Sequence, residues 1–286
     1  AGFRTAVTKS KRGGFRFFRP DDLAVQLIQG LMKTLPTLPA ARVDDVIVGN
    51  AVPEAEQGLQ FGRMISARAL GVDVAGITIN RYCASGLESI AMATAKIRSG
   101  MADCIIAGGT ESMSLVPTAG WKTVPSYEIA NNDPDYYLSM GLTAEAVAKE
   151  YSISRADQDA FAYASHQKAM NAQQQNYFKD GILPITVEEV YVDEKGKKAT
   201  RSYVVDSDDG VRADTSIEAL AKLKPAFAVD GTVTAGNSSQ TSDGAAFVVV
   251  MSEKMMLELG LVPIGRLVNV AVAGVHPRIM GIGPVA

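Results

Sequence analysis

Apolar runs of two different periods take turns between Asp21 and Ala107, and that alternation restricts the chain to a layered α/β fold. Asp21 and Asp22 open a segment in which Leu23, Leu27, Ile28 and Leu31 share one helical face. Asp45-Val46-Ile47-Val48-Gly49 is a short buried-strand run, and residues 61–70 return to helical spacing. A β-branched run at Ile77-Thr78-Ile79 then stops abruptly at Asn80-Arg81-Tyr82-Cys83. Leu87, Ile90, Ala91, Thr94 and Ile97 recur at helical spacing, Gly100 supplies the stop, and Cys104-Ile105-Ile106-Ala107 is a further strand. Strand and helix in strict alternation imply a mixed or parallel sheet covered by helices.

The texture changes from about residue 115. Pro, Asn, Asp and Tyr cluster at 125–137, a helix is expected over 142–151, and Ser154-Arg155-Ala156-Asp157 is a capping box opening a long helix. Asp206-Ser207-Asp208-Asp209-Gly210 is a polar turn, since calcium-loop spacing and a closing Glu are missing. Residues 245–251 read as a buried strand, Ser252 caps a helix ending at Gly260, and 266–273 read as another apolar strand.

A chain of 286 residues with 47% hydrophobic content can bury a sizeable core. A net charge of −3 excludes the basic footprint of a nucleic-acid binder. No apolar run approaches the ~20 residues of a membrane span. Two cysteines, Cys83 and Cys104, cannot build a disulfide framework, so a reducing, cytoplasmic setting is expected. His166 and His276 form no metal-ligand spacing, and no Gly-x-Gly-x-x-Gly follows a strand. Neither a metal nor a bound cofactor is expected.

Cys83 is the residue with chemistry. A thiol just before a helix start feels the partial positive charge of unpaired backbone N–H groups, which favours thiolate, the nucleophilic form. Placement alone also fits a buried structural cysteine, the commoner case. For Cys104, inside a strand, core packing is the expectation.

Asn80-Arg81-Tyr82-Cys83-Ala84-Ser85-Gly86-Leu87 resembles the nucleophile segment of the thiolases. Further segments fit the same family in order: Arg4-Thr5-Ala6-Val7, Gly108-Gly109-Thr110-Glu111-Ser112-Met113-Ser114, Met140-Gly141-Leu142-Thr143, Lys222-Leu223-Lys224-Pro225, Thr234-Ala235-Gly236-Asn237-Ser238-Ser239 and Met280-Gly281-Ile282-Gly283-Pro284. The resemblance implies a thiolase-like layered α/β fold with a mixed sheet and a central α-rich loop insert. Its implied divisions are an N-terminal domain at 1–114 plus 242–263, a loop domain over coenzyme A at 115–241, and an incomplete C-terminal domain from 264 to 286. The basic first twenty residues resemble a transit segment in composition, but the resemblance puts them in the first strand and loop.

The resemblance further implies an acyltransferase that thiolytically cleaves 3-ketoacyl-CoA through an acyl-cysteine on Cys83, as in fatty acid β-oxidation. Met140 and Ser239 match positions lining the pantetheine tunnel, and Lys224 a basic position near the nucleotide. Coenzyme A enters as a substrate. A homodimer or homotetramer is implied, with possible association with a β-oxidation partner subunit. The alternatives are a biosynthetic acetoacetyl-CoA thiolase and a non-catalytic binding or scaffold subunit. The family's Gly-His-Pro, Cys-x-Gly-Gly-Gly and Asn-Glu-Ala-Phe segments are absent from this sequence. Val275-His276-Pro277 lies where the family has a surface turn, so the 286 residues alone are expected to be inactive.

Overall fold

A computed structural model describes residues 1–286. The strands are β1 (Gly2–Arg4), β2 (Thr8–Lys9), β3 (Asp45–Gly49), β4 (Ala75–Ile79), β5 (Cys104–Ser112), β6 (Ile185–Val192), β7 (Lys198–Val205) and β8 (Ser242–Met251). The helices are α1 (Pro20–Lys33), α2 (Phe61–Leu70), α3 (Ser85–Arg98), α4 (Tyr127–Asn132), α5 (Met140–Glu150), α6 (Arg155–Gln174), α7 (Ile217–Ala221) and α8 (Glu253–Glu258). The chain divides into two units: residues 1–122, 178–210 and 241–270, and residues 123–177, 211–240 and 271–286.

The first unit is built on a mixed sheet in the order β1-β8-β5-β3-β4, with β2 also paired to β8. β3 runs parallel to β4 and β5, whereas β8 runs antiparallel to β5, β1 and β2. Successive side chains of a strand point to opposite faces. Val46, Val48, Cys104 and Ile106 therefore join Leu23, Leu27, Ile28 and Leu31 of α1 and Phe61 and Ile65 of α2 in one core. Ile47, Ile105 and Ala107 pack with Ala93 of α3 in another. β3 is buried throughout, which explains its unbroken apolar run. β4, at the sheet edge, is only partly covered.

The antiparallel hairpin β6–β7 belongs to this unit although it lies within residues 115–241. Ile185, Val187 and Val205 reach the main core. Glu189, otherwise buried, is held by Arg16 at 2.5 Å and by Arg201 at 2.8 Å. Burial pushes its carboxyl up, but Arg201 and Arg16 outweigh that and hold it below the usual carboxylate range.

Residues 266–273 form no strand, contrary to the expectation from their apolar content. The run has no neighbouring strand to complete a ladder, and most of it is exposed. The basic N-terminal stretch enters the sheet through β1 and β2.

In the second unit α6 opens with the expected capping box: the Ser154 and Asp157 side chains each accept the other's backbone N–H. Asn237 ties the 234–239 loop to this helix, its Nδ2 donating to Asp159 at 3.0 Å. Glu145 of α5 accepts from the backbone N–H groups of Thr232 and Val233 at 2.9 and 2.8 Å, and from the Thr232 hydroxyl. Burial raises the Glu145 carboxyl, and these donors together bring it below its ordinary value.

Gly49 sits where α3 crosses the end of β3: a Cβ there would meet the Ser85 carbonyl carbon at 2.6 Å. Gly49→Ala should cost at least about 2 kcal/mol through overpacking, read from urea unfolding of the first unit. In the second unit, the lowered Glu145 carboxyl contributes stability above the ordinary glutamate range, lost as pH falls through and below it. Glu145→Gln should therefore lower stability by about 1–2 kcal/mol at neutral pH. The difference from wild type should close as melting is followed into acid.

Candidate active site

Gly49 and Ile79, the last residues of the parallel strands β3 and β4, lie level with Gly109 of β5, which runs on to Ser112. The chain beyond β4 does not run straight into α3. It makes a tight turn over 80–84, with Tyr82 in the left-handed region at φ 46°. Such a conformation is uncommon for a bulky residue and requires support from around it.

That support comes from side chains. Asn80 Oδ1 accepts the Tyr82 N–H at 2.7 Å, an Asx-turn. The Ser85 hydroxyl accepts the Arg81 N–H at 2.8 Å and donates to the Tyr82 carbonyl at 2.6 Å. Arg81 pairs with Glu88 of α3 at 2.8 Å. The turn presents Cys83 as a free, exposed thiol two residues before the first residue of α3. Tyr82 and Leu87 flank it, both exposed, and a Cβ on Gly86 would meet nothing within 4 Å. Access is therefore open.

Cys104 has the opposite environment. It is fully buried in β5. Burial, aided by the Asp44 carboxylate, pushes its thiol up to about 12. A thiol so protonated is inert at neutral pH.

A second group emerges beside the strand ends that sequence reasoning passed over. Glu111, near the end of β5, accepts the Ala51 N–H at 2.7 Å and the Gln57 amide at 2.7 Å. Burial pushes its carboxyl up, and these hydrogen bonds only partly offset that. Gln57 also accepts the Ser112 N–H at 2.6 Å, which fixes the loop after β3 against β5. Asn50 donates to the Thr110 carbonyl at 3.0 Å, while its Oδ1 is buried without a hydrogen-bond partner. The signal available in the sequence was a lone acid closing the apolar run of β5.

The other residues singled out in the sequence lie in the second unit. Met140 is the first residue of α5 and is exposed. Lys224 is exposed and opens the loop 224–230. Ser239 is exposed, its hydroxyl donating to the Gln240 carbonyl. Their three segments adjoin. The Phe227 ring packs on Gly141, where a Cβ would lie 2.1 Å from it, and a Cβ on Gly236 would lie 2.4 Å from Leu223. His166 accepts the Arg212 N–H at 3.2 Å, and His276 caps the turn at Pro277–Val285 by accepting the Arg278 N–H at 3.3 Å. Both therefore serve local backbone structure. No group of three or more His, Cys, Asp or Glu side chains is placed to hold a metal ion. No helix is long and apolar enough to cross a membrane.

Comparison with known proteins identifies the family of the chain as a whole. The family model for the thiolase N-terminal domain matches residues 1–254. The 3-ketoacyl-CoA thiolase of Bacillus subtilis (strain 168) is 50% identical over 286 residues, covering 100% of this chain and 73% of that protein. The human peroxisomal 3-ketoacyl-CoA thiolase is 40% identical over 284 residues, covering 99% of this chain and 66% of that protein. The crystal structure of the Bacillus anthracis acetyl-CoA acetyltransferase superposes with a TM-score of 0.85 at 35% identity, over 99% of this chain and 72% of that one. The chain thus spans about two thirds to three quarters of these relatives, from their N-terminal side, and it belongs to the thiolase family.

Proposed function

We propose that this chain carries the nucleophile of a 3-ketoacyl-CoA thiolase, with Cys83 as the acyl-accepting thiol. The observation that carries the reading is the contrast between the two cysteines: one exposed on a braced turn before α3, the other buried and held protonated. The 50% identity to a bacterial 3-ketoacyl-CoA thiolase supports the substrate class.

In the proposed reaction the Cys83 thiolate adds to the C3 carbonyl of a 3-ketoacyl-CoA. The C2–C3 bond then breaks, the acyl group stays on sulfur, and the departing acetyl-CoA carbanion takes up a proton. The thiol of a free coenzyme A gives its proton to a base and attacks the thioester, returning Cys83 and releasing the shortened acyl-CoA. Oxyanion donors must meet the charge on each tetrahedral intermediate. The acid–base residues belong, by family resemblance, to the histidine and second-cysteine segments, which this sequence does not contain. Met140, Lys224 and Ser239 are proposed to contact coenzyme A. A homo-oligomeric enzyme of β-oxidation in a reducing, cytoplasmic setting is the physiological reading, with association with a β-oxidation partner subunit an extension of it. The likeness to an acetyl-CoA acetyltransferase structure favours the second reading, a biosynthetic acetoacetyl-CoA thiolase.

Iodoacetamide should carbamidomethylate Cys83 and leave Cys104 untouched in native protein, as peptide mapping would show. Incubation of the full gene product with acetoacetyl-CoA should leave an acetyl group on the Cys83 peptide, and Cys83→Ser should abolish both adduct and turnover. Acylation elsewhere, or an active Cys83→Ser enzyme, would refute the assignment. A full gene product that binds coenzyme A but forms no adduct would instead support a binding or scaffold role. Equal turnover of acetoacetyl-CoA and longer 3-ketoacyl-CoA would favour the degradative reading over the biosynthetic one.

A further inference from the structure

We propose that Asn80 is a positioning residue for the Cys83 thiol, its side-chain amide tying the left-handed Tyr82 turn to the loop after β3. The inference rests on reading Cys83 as the nucleophile. Of the side chains that brace the turn, Ser85 closes it on itself and Arg81 reaches only to Glu88 in the following helix. Asn80 works in both directions. Its Oδ1 accepts the Tyr82 N–H at 2.7 Å, and its Nδ2 donates to the Ala51 carbonyl at 3.0 Å.

Ala51 is itself held. Its N–H donates to Glu111 at 2.7 Å, and Glu111 is gripped by Gln57, which also bonds Val52 and Ser112. The path from β5 through Glu111, the Ala51 peptide and the Asn80 amide ends on the N–H of the residue that precedes the thiol. A left-handed Tyr82 persists only where its surroundings over-determine it, and Asn80 is the link from that residue to the loop after β3. Released from Asn80, the turn relaxes towards ordinary φ. Cys83 then leaves the exposed position before α3 in which the turn presents it.

Asn80→Ala removes both bonds, whereas Asn80→Ser keeps an acceptor for the Tyr82 N–H and is too short to reach the Ala51 carbonyl. The readouts are the rate of Cys83 carbamidomethylation at fixed pH, with buried Cys104 as internal reference, and kcat against KM for thiolysis by the full gene product. Asn80→Ala should slow alkylation several-fold and lower kcat by about tenfold or more while KM stays within about twofold, because orientation rather than binding is lost. Asn80→Ser should fall between the two. Wild-type alkylation and kcat in Asn80→Ala overturn the proposal. If that variant does not fold, wild-type values in Asn80→Ser do so. Cys83→Ser separates the two layers of inference. Activity retained there removes the nucleophile reading itself. An inactive Cys83→Ser beside unperturbed Asn80 variants removes the positioning role alone.

Discussion

Backbone has to meet backbone where α3 starts against the end of β3, and only a residue without a side chain allows it. Gly49 leaves its carbonyl and Cα open to Ser85 on one side, and Gly109 approaches the Gly49 carbonyl on the other, where a Cβ would come within 2.7 Å. These contacts bring the end of β3, Gly109 of β5 and the start of α3 to one place. Ligands of open α/β sheets bind outside such strand ends. The Cys83 turn lies there because the helix start is pinned there, and the bracing by Asn80 and Ser85 is a consequence of that short span.

Polar groups, rather than apolar contacts, hold the irregular parts of both units. In the first unit Asp208 takes a bidentate Arg4 together with the Val7 N–H, and Glu189 takes two arginines. In the second, Glu145 gathers the backbone at 232–233, and Asn237 and Arg155 converge on Asp159. A carboxylate that accepts several N–H groups fixes a loop that offers no apolar face to bury. The acids that hold these segments are therefore architectural. The same reasoning separates them from Glu111, whose burial outweighs its donors and leaves its carboxyl raised.

The sequence carried the strands and helices of the first unit well, because burial on both faces of β3 and on one stripe of α1 writes itself as unbroken and 3.6-residue patterns. It missed the β6–β7 hairpin, although Ile185, Val187 and Glu189 alternate towards the core and Gly196 turns the chain at φ 72°. A charged residue on the buried side hid the period, and only Arg16 and Arg201 make that residue tolerable. It also overstated 266–273, which is apolar but has no neighbouring strand to pair with.

By itself, then, the sequence determined the alternating architecture, the strand–turn–helix around Cys83 and the membership in the thiolase family, since local periodicity and a continuous motif need no distant partner. The tertiary structure decided which cysteine is open and which is sealed, and it decided that His276 caps a turn. It also brought Glu111, Ala51 and Asn80 into one hydrogen-bonded path. That path depends on residues 29 and 60 positions apart meeting beside the ends of parallel strands, and such meetings arise from sheet order and register, which no local pattern encodes.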